Sequence, residues 1–97
     1  MNTQIPAELL QKLIQKGLDN TLSSISDVIM WLHENLDIWI EVRHIKTYGV
    51  NRFYFILWDY NDRDYYTIHD HDNIGYKVWD TPTEAYLAAI EYFEEYF

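Results

Sequence analysis

Hydrophobic residues recur at intervals of three and four in two segments near the start of the chain, residues 6–16 and 25–36. This spacing places apolar side chains along one stripe of a helix, so each segment predicts an amphipathic α-helix. Pro6 suits the first turn of the first helix, and Gly17 is placed to end it. Ser24 stands three residues before Asp27, which predicts an N-cap for the second helix.

The spacing changes to two directly after the second predicted helix. Residues 37–46 (DIWIEVRHIK) alternate between a more apolar and a more polar face, as a strand covered on one side does. Residues 52–60 (RFYFILWDY) are apolar on both faces, which predicts a central strand. Two further short strands are predicted at residues 65–69 (YYTIH) and 76–79 (YKVW). The intervening TYGVN and NDRD segments are typical of turns.

A third helix closes the chain at residues 82–96. Thr81 is the predicted N-cap, Pro82 occupies the first helical position, and Glu84 completes a capping box. Small alanines inside this helix allow close approach to a sheet. One apolar face is predicted from three- and four-residue spacing, and it comprises Tyr86, Ile90, Phe93 and Phe97.

This order of elements indicates an α+β fold with helices at both ends and strands between them. We expect two N-terminal helices, a three- to four-stranded antiparallel meander, and one C-terminal helix packed on the sheet. Ninety-seven residues suit a single domain spanning residues 1–97. Within it, the helical part covers residues 6–36, the sheet 38–79 and the last helix 82–96.

Charge is unevenly distributed along the chain, whose net charge is -9. Residues 1–58 hold six acidic and five basic residues, a net of -1, whereas residues 59–97 hold ten acidic and two basic residues, a net of -8. Direct binding to nucleic acid requires a basic surface, so this balance excludes it. The acidic C-terminal end also disfavours attraction to anionic lipid.

The chain contains no cysteine, which excludes disulfides, thiolate metal sites and cysteine nucleophiles. No apolar run approaches the length needed to span a bilayer, and the first residues lack the features of a signal peptide. We therefore expect a cytoplasmic protein without a membrane partner.

Two stretches together resemble a group of small uncharacterised α+β proteins of gut bacteria and their mobile elements. They are WLHENLDIWIEV, where a helix end runs into a strand, and VWDTPTEAYLAAIEYF, where the last helix begins. His33 stands where the group often has arginine. The resemblance covers residues 24–96 and implies the fold alone, since the group has no activity to carry over. The matching positions are Trp31, Leu32, Glu34, Thr81, Glu84, Ala85, Leu87 and Ile90.

Histidine and aspartate alternate in the segment HDHD, residues 69–72. In an extended chain His69 and His71 share one face, and imidazole is a common ligand of transition metals. Two ligands fall short of the three or four that a tight site needs, and His44 or Asp59 is the best candidate for a third. The alternative is a polar hairpin tip, because the following Asn73 and Gly75 favour turns.

No sequence motif indicates catalysis. The chain has no nucleophile elbow, phosphate-binding loop or dinucleotide fingerprint, and its three glycines lie far apart. Its three serines cluster at a predicted helix start, where capping explains them. We expect no enzymatic activity, no catalytic residues and no cofactor.

Four Trp, nine Tyr and four Phe suggest that several amphipathic rings remain half-exposed. The favoured hypothesis is therefore a small acidic protein-interaction domain, with a homodimer as one option. A histidine/aspartate metal-binding protein is one alternative. Another is an acidic nucleic-acid mimic that inhibits a DNA-binding protein, formed by Asp59, Asp62, Asp64, Asp70, Asp72, Glu91, Glu94 and Glu95.

Overall fold

Helices occupy both ends of the described chain and strands its middle, as seen for residues 3–70 and 75–97 in a computed structural model. This arrangement confirms the predicted α+β class, with two N-terminal helices and one C-terminal helix. The elements are α1 (Ala7–Gln15), α2 (Ile25–Leu36), β1 (Ile38–Thr47), β2 (Val50–Asp59), β3 (Asp64–Tyr66), β4 (His69–Asp70), β5 (Gly75–Tyr76) and α3 (Pro82–Tyr96).

Side-chain caps begin two of the helices where the sequence predicts them. The Ser24 hydroxyl accepts the N–H of Asp27 at 3.2 Å, and the Thr81 hydroxyl accepts the N–H of Glu84 at 3.2 Å. Each bond satisfies one of the amides that the first helical turn leaves without a partner. Asp37, in the left-handed conformation at φ 55, ends α2 and leads directly into β1.

β1 and β2 form a long antiparallel hairpin that is paired along its whole length, from Ile38 opposite Asp59 to Thr47 opposite Val50. A two-residue loop joins them, with φ 50 at Tyr48 and φ 78 at Gly49. Positive φ at both central positions defines a type I′ turn, whose twist matches that of the strands. The sheet has the order β1-β2-β3, so β2 is central as predicted.

The far edge of β2 departs from a simple meander, because β4 and β5 form a separate two-stranded sheet. β3 pairs with the last part of β2. Among the residues described after β3, the next backbone pairing with β2 is at Trp79, which exchanges two hydrogen bonds with Phe53. Between these points the Thr67 hydroxyl donates to the carbonyl of Phe55 at 2.7 Å. This hydrogen bond uses the backbone carbonyl that would accept from a backbone N–H if the third strand were continuous.

The helices cover one face of the sheet and form a single buried cluster with it. Phe55 and Leu57 of β2 are fully buried in this cluster, beside Ile38 and Ile40 of β1. On α3 the predicted apolar face is shifted, since Tyr86 is only half-buried and Phe97 is 39% exposed. The buried face instead comprises Ala85, Ala89, Ile90 and Phe93.

The alanines explain this shift, because their small side chains let the axis of α3 lie close to β2 and β1. The rings of Tyr86 and Phe97, at the two ends of the predicted face, then lie beside the contact between α3 and the sheet instead of within it. Among the described residues, no helix has the length and apolar character needed to cross a membrane.

Candidate interaction surface

The sheet presents a second face on the side away from the helices. Side chains alternate along a strand, so the neighbours of Phe55 and Leu57 on β2 point away from the helical core. Two of them, Tyr54 and Ile56, are only 8% and 6% exposed, although neither belongs to the helix-side cluster. We call this surface the open face, and it comprises Trp39, Glu41, Arg43, Ile45, Tyr54, Ile56, Trp58 and Tyr65.

Aromatic rings are the main apolar groups that the open face presents. Trp58 of β2 and Tyr65 of β3 lie opposite each other, with ring centroids 5.5 Å apart. Tyr65 is 57% exposed, so much of this ring contacts solvent. Tyr76 of β5 stacks in parallel on Tyr54 at 4.3 Å and connects the small hairpin to the open face.

A polar cluster lies among these rings. Arg43 donates two hydrogen bonds to Glu41, at 3.0 and 3.1 Å, and Trp58 donates its indole N–H to the same carboxylate at 3.1 Å. The hydrogen bonds from Arg43 are the main reason why the pKa of Glu41 is lowered. The same pairing raises the pKa of Arg43, so the open face carries one fixed anion and one fixed cation.

A carboxyl titration tests this cluster. We expect the side chain of Glu41 to titrate below the ordinary glutamate value when its carboxyl carbon is followed by NMR against pH. The interaction stabilises the charged form, so its contribution to folding is present above the ordinary pKa and is lost as pH falls through the lowered one.

Arg43→Ala should return the midpoint of Glu41 towards the ordinary value. Lys46→Ala is the matched control, because it removes a cation from the same strand without removing a hydrogen bond to Glu41. An unchanged midpoint in Arg43→Ala would contradict the assignment.

Of the two histidines in the predicted metal site, the structure describes His69, which lies on the helix side of the sheet. His69 of β4 stacks on Tyr76 at 5.6 Å and lines a groove of about 600 Å³ between the small hairpin and α3. Lys77 and Glu91 line the same groove. His71, the other predicted ligand, lies outside the described residues.

The two candidate third ligands lie at different ends of the β1–β2 hairpin. His44 faces Phe53 and shares a 2.8 Å hydrogen bond with Asn51, whereas Asp59 accepts two hydrogen bonds from Asn61. Six strand positions separate Asp59 from the partner of His44, roughly 20 Å at the rise of a strand. One site therefore cannot use both.

Among residues 3–69 and 75–97, no three histidine, aspartate or glutamate side chains are grouped so that they could hold a metal ion. Because His71 lies outside those residues, a site formed with His69 stays a prediction.

The acidic surface proposed for nucleic-acid mimicry loses one member in the structure. Asp59 is only 5% exposed and its carboxylate is used within the turn that follows β2. Asp62 and Asp64 are exposed near β3, and Glu91 and Glu95 are exposed on α3. These two exposed pairs lie on different elements, the first at the sheet edge and the second on a helix.

No protein family, curated protein or solved structure matches this chain significantly. The sequence indicated half-exposed aromatics but not the cluster of Glu41, Arg43 and Trp58. The sequence feature that could have indicated this cluster is the alternation along β1, which places polar and aromatic side chains next to each other on one face. These side chains are Trp39, Glu41, Arg43 and Ile45.

Proposed function

We propose that this protein is a small, acidic, non-catalytic domain that binds a protein partner through the open face of its sheet. The single observation that supports the proposal most is the exposed aromatic surface around Trp58 and Tyr65 on a face that the helices leave uncovered. Aromatic residues and arginine are enriched at the centres of protein interfaces relative to the remaining surface.

The polar cluster supports the same proposal. Glu41, Arg43 and the Trp58 indole hold one another in place, so little side-chain entropy remains to be lost when a partner binds. An aromatic surface with a hydrogen-bonded Glu–Arg pair beside it matches the composition of interaction hot spots, in which Trp, Tyr and Arg predominate.

The class of partner follows from charge. A net charge of -9 opposes contact with nucleic acid, and it leaves protein as the partner we propose. We further propose a cytoplasmic location, supported by the absence of cysteine, and a relationship to the small α+β proteins of gut bacteria that the sequence resembles.

Affinity capture with matched variants tests the proposal. Tyr65→Ser removes an exposed ring from the open face, and we expect binding of the captured partner to weaken by about tenfold or more, as for a hot-spot residue. The measurement is capture on the immobilised protein, followed by titration with the purified partner.

Tyr96→Ser is the control, because Tyr96 is similarly exposed, at 64%, but lies on α3, which packs against the opposite face. Equal binding by wild type and both variants would reject the open face as the binding surface. The salt dependence of partner affinity distinguishes this proposal from nucleic-acid mimicry. Affinity through an aromatic surface should change little between low and moderate salt, whereas the affinity of an acidic mimic should fall steeply.

A further inference from the structure

The outer edge of β1 carries a regular row of backbone groups. In a hairpin closed by a two-residue turn, the closing pair is hydrogen-bonded, and alternate residues bond to the partner strand from there on. Thr47 and Val50 close this hairpin, so the odd-numbered residues of β1 bond to β2. The residues whose N–H and C=O groups point outward are then Ile38, Ile40, Val42, His44 and Lys46.

Hydrogen bonds on the far side of β2 support this assignment independently. The same alternation predicts that the backbone N–H and C=O groups of Phe53 and Phe55 point away from β1. Phe53 does exchange two backbone bonds with Trp79, and the Phe55 carbonyl does accept from Thr67. Within the described residues, no backbone hydrogen bond joins the five outward residues of β1 to another segment.

We propose that this edge pairs with the same edge of a second copy of the chain, antiparallel and with Val42 on the two-fold axis. In this register Glu41 lies opposite Arg43 of the second copy, and Trp39 lies opposite its Ile45. Each outward residue meets another outward residue, which gives about ten backbone hydrogen bonds across the axis. The product is a continuous six-stranded sheet with both open faces on one side.

The sequence of β1 selects this register over its neighbours. If one β1 strand slides by one residue along the other, outward N–H and C=O groups lie opposite groups that already bond to β2. The same slip places the open face of one copy on the helix side of the other. Only shifts by an even number of residues are therefore compatible with a continuous sheet. Centring on Arg43 or on Glu41 brings two like charges directly opposite each other, which is destabilising. Centring on Val42 instead creates two oppositely charged pairs and three apolar pairs per dimer, namely Trp39 with Ile45 twice and Val42 with its own copy.

Charge also favours this edge. β1 carries one acidic and two basic residues, a net of +1, although the whole chain carries -9. At the opposite edge of the sheet, Asp64 begins β3 and Asp62 lies just before it. A second copy therefore approaches at the least acidic strand. The dimer adds to the proposed function and does not depend on it. It forms at the edge of β1 and engages the β1 side chains of the open face, but it leaves Trp58 and Tyr65 on β2 and β3 uncovered.

Charge exchange tests the register. The wild-type chain of 11.8 kDa should show about twice that mass by light scattering as concentration rises. Glu41→Arg and Arg43→Glu each place like charges opposite each other twice per dimer, and each should weaken self-association by about tenfold or more.

Mixing the two variants removes the remaining ambiguity. Between one copy of Glu41→Arg and one of Arg43→Glu, every cross-copy pair is again of opposite charge, so the mixture should associate although each variant alone does not. The pair within each chain stays broken in the mixture, so recovered association reports contacts between copies. The double variant carrying both exchanges should also recover association.

A disulfide measures the position of the axis, since the natural chain has no cysteine. Val42→Cys places two cysteines as a hydrogen-bonded pair with Cα atoms about 5.5 Å apart, within the range of a disulfide. We expect a covalent dimer under mild oxidation. Ile45→Cys is the control, because its two copies would lie roughly 20 Å apart and should not cross-link.

A wild-type monomer at all concentrations would overturn the proposal. Failure of the mixed variants to associate, or equal cross-linking of Val42→Cys and Ile45→Cys, would overturn it as well. Loss of partner capture by Tyr65→Ser concerns the open face alone, so the two proposals succeed or fail separately.

Discussion

Replacing Phe55 by alanine should lower the free energy of unfolding by about 3–5 kcal/mol. Phe55 is fully buried on the central strand, where its ring packs against Trp79 at 5.7 Å and Tyr92 at 5.9 Å. Truncation therefore removes buried apolar area and leaves a cavity at the point where β2, α3 and the returning chain meet. Urea denaturation followed by tryptophan fluorescence measures the loss.

Phe53→Ala is the matched control for this experiment. Phe53 lies two residues earlier on the same face of β2, but it is only half-buried and its neighbour His44 is exposed. Its truncation should cost distinctly less, because solvent already reaches the ring. Equal losses at the two positions would contradict the placement of the core.

Replacing Ala89 by leucine should destabilise the fold by about 1–3 kcal/mol, although leucine is a good helix former. Ala89 has no exposed surface and belongs to the cluster that joins α3 to the sheet. The additional side chain would force the axis of α3 away from β2 and weaken the neighbouring contacts of Ile90 and Phe93. Thermal and urea unfolding both measure this change.

The adjacent residue supplies the control. Ala88 is only half-buried and lines the open groove beside the small hairpin, so Ala88→Leu has room for the added atoms. We expect a change within about 0.5 kcal/mol, as is usual for a substitution outside the core. A larger loss at Ala88 than at Ala89 would mean that α3 is rotated relative to the described packing.

Local chemistry explains which elements the sequence could predict. The bounds of α2 and α3 follow from capping residues and from apolar spacing within one helix, and both were predicted closely. The type I′ turn after β1 likewise depends on residues that are adjacent in sequence. Each of these signals lies within a few positions of the structure that it determines.

The remaining features depend on residues distant in sequence. In the interruption between β3 and Trp79, the Thr67 hydroxyl donates to the carbonyl of Phe55, a contact across twelve positions. The shifted face of α3 depends on how closely that helix approaches the sheet, and single-helix periodicity contains no such information. Both were therefore outside the reach of pattern analysis.

The open face was only partly predictable for the same reason. Alternation along β1 separates its polar face from its apolar one, but β2 is apolar on both sides. Only the tertiary structure decides that the helices take Phe55 and Leu57 and leave Tyr54, Ile56 and Trp58 on the other side.

The two-residue loop at Tyr48 and Gly49 has a consequence for the evolution of this chain. Surface loops usually tolerate insertions and deletions, and the Tyr48 side chain is fully exposed, as in such loops. Here, one added residue that shifted the pairing by one would exchange the two sides of β1 relative to β2. Trp39 and Arg43 would then face the helices, and Ile40 would face water. We therefore expect selection to exclude insertions and deletions at this turn and to permit substitutions.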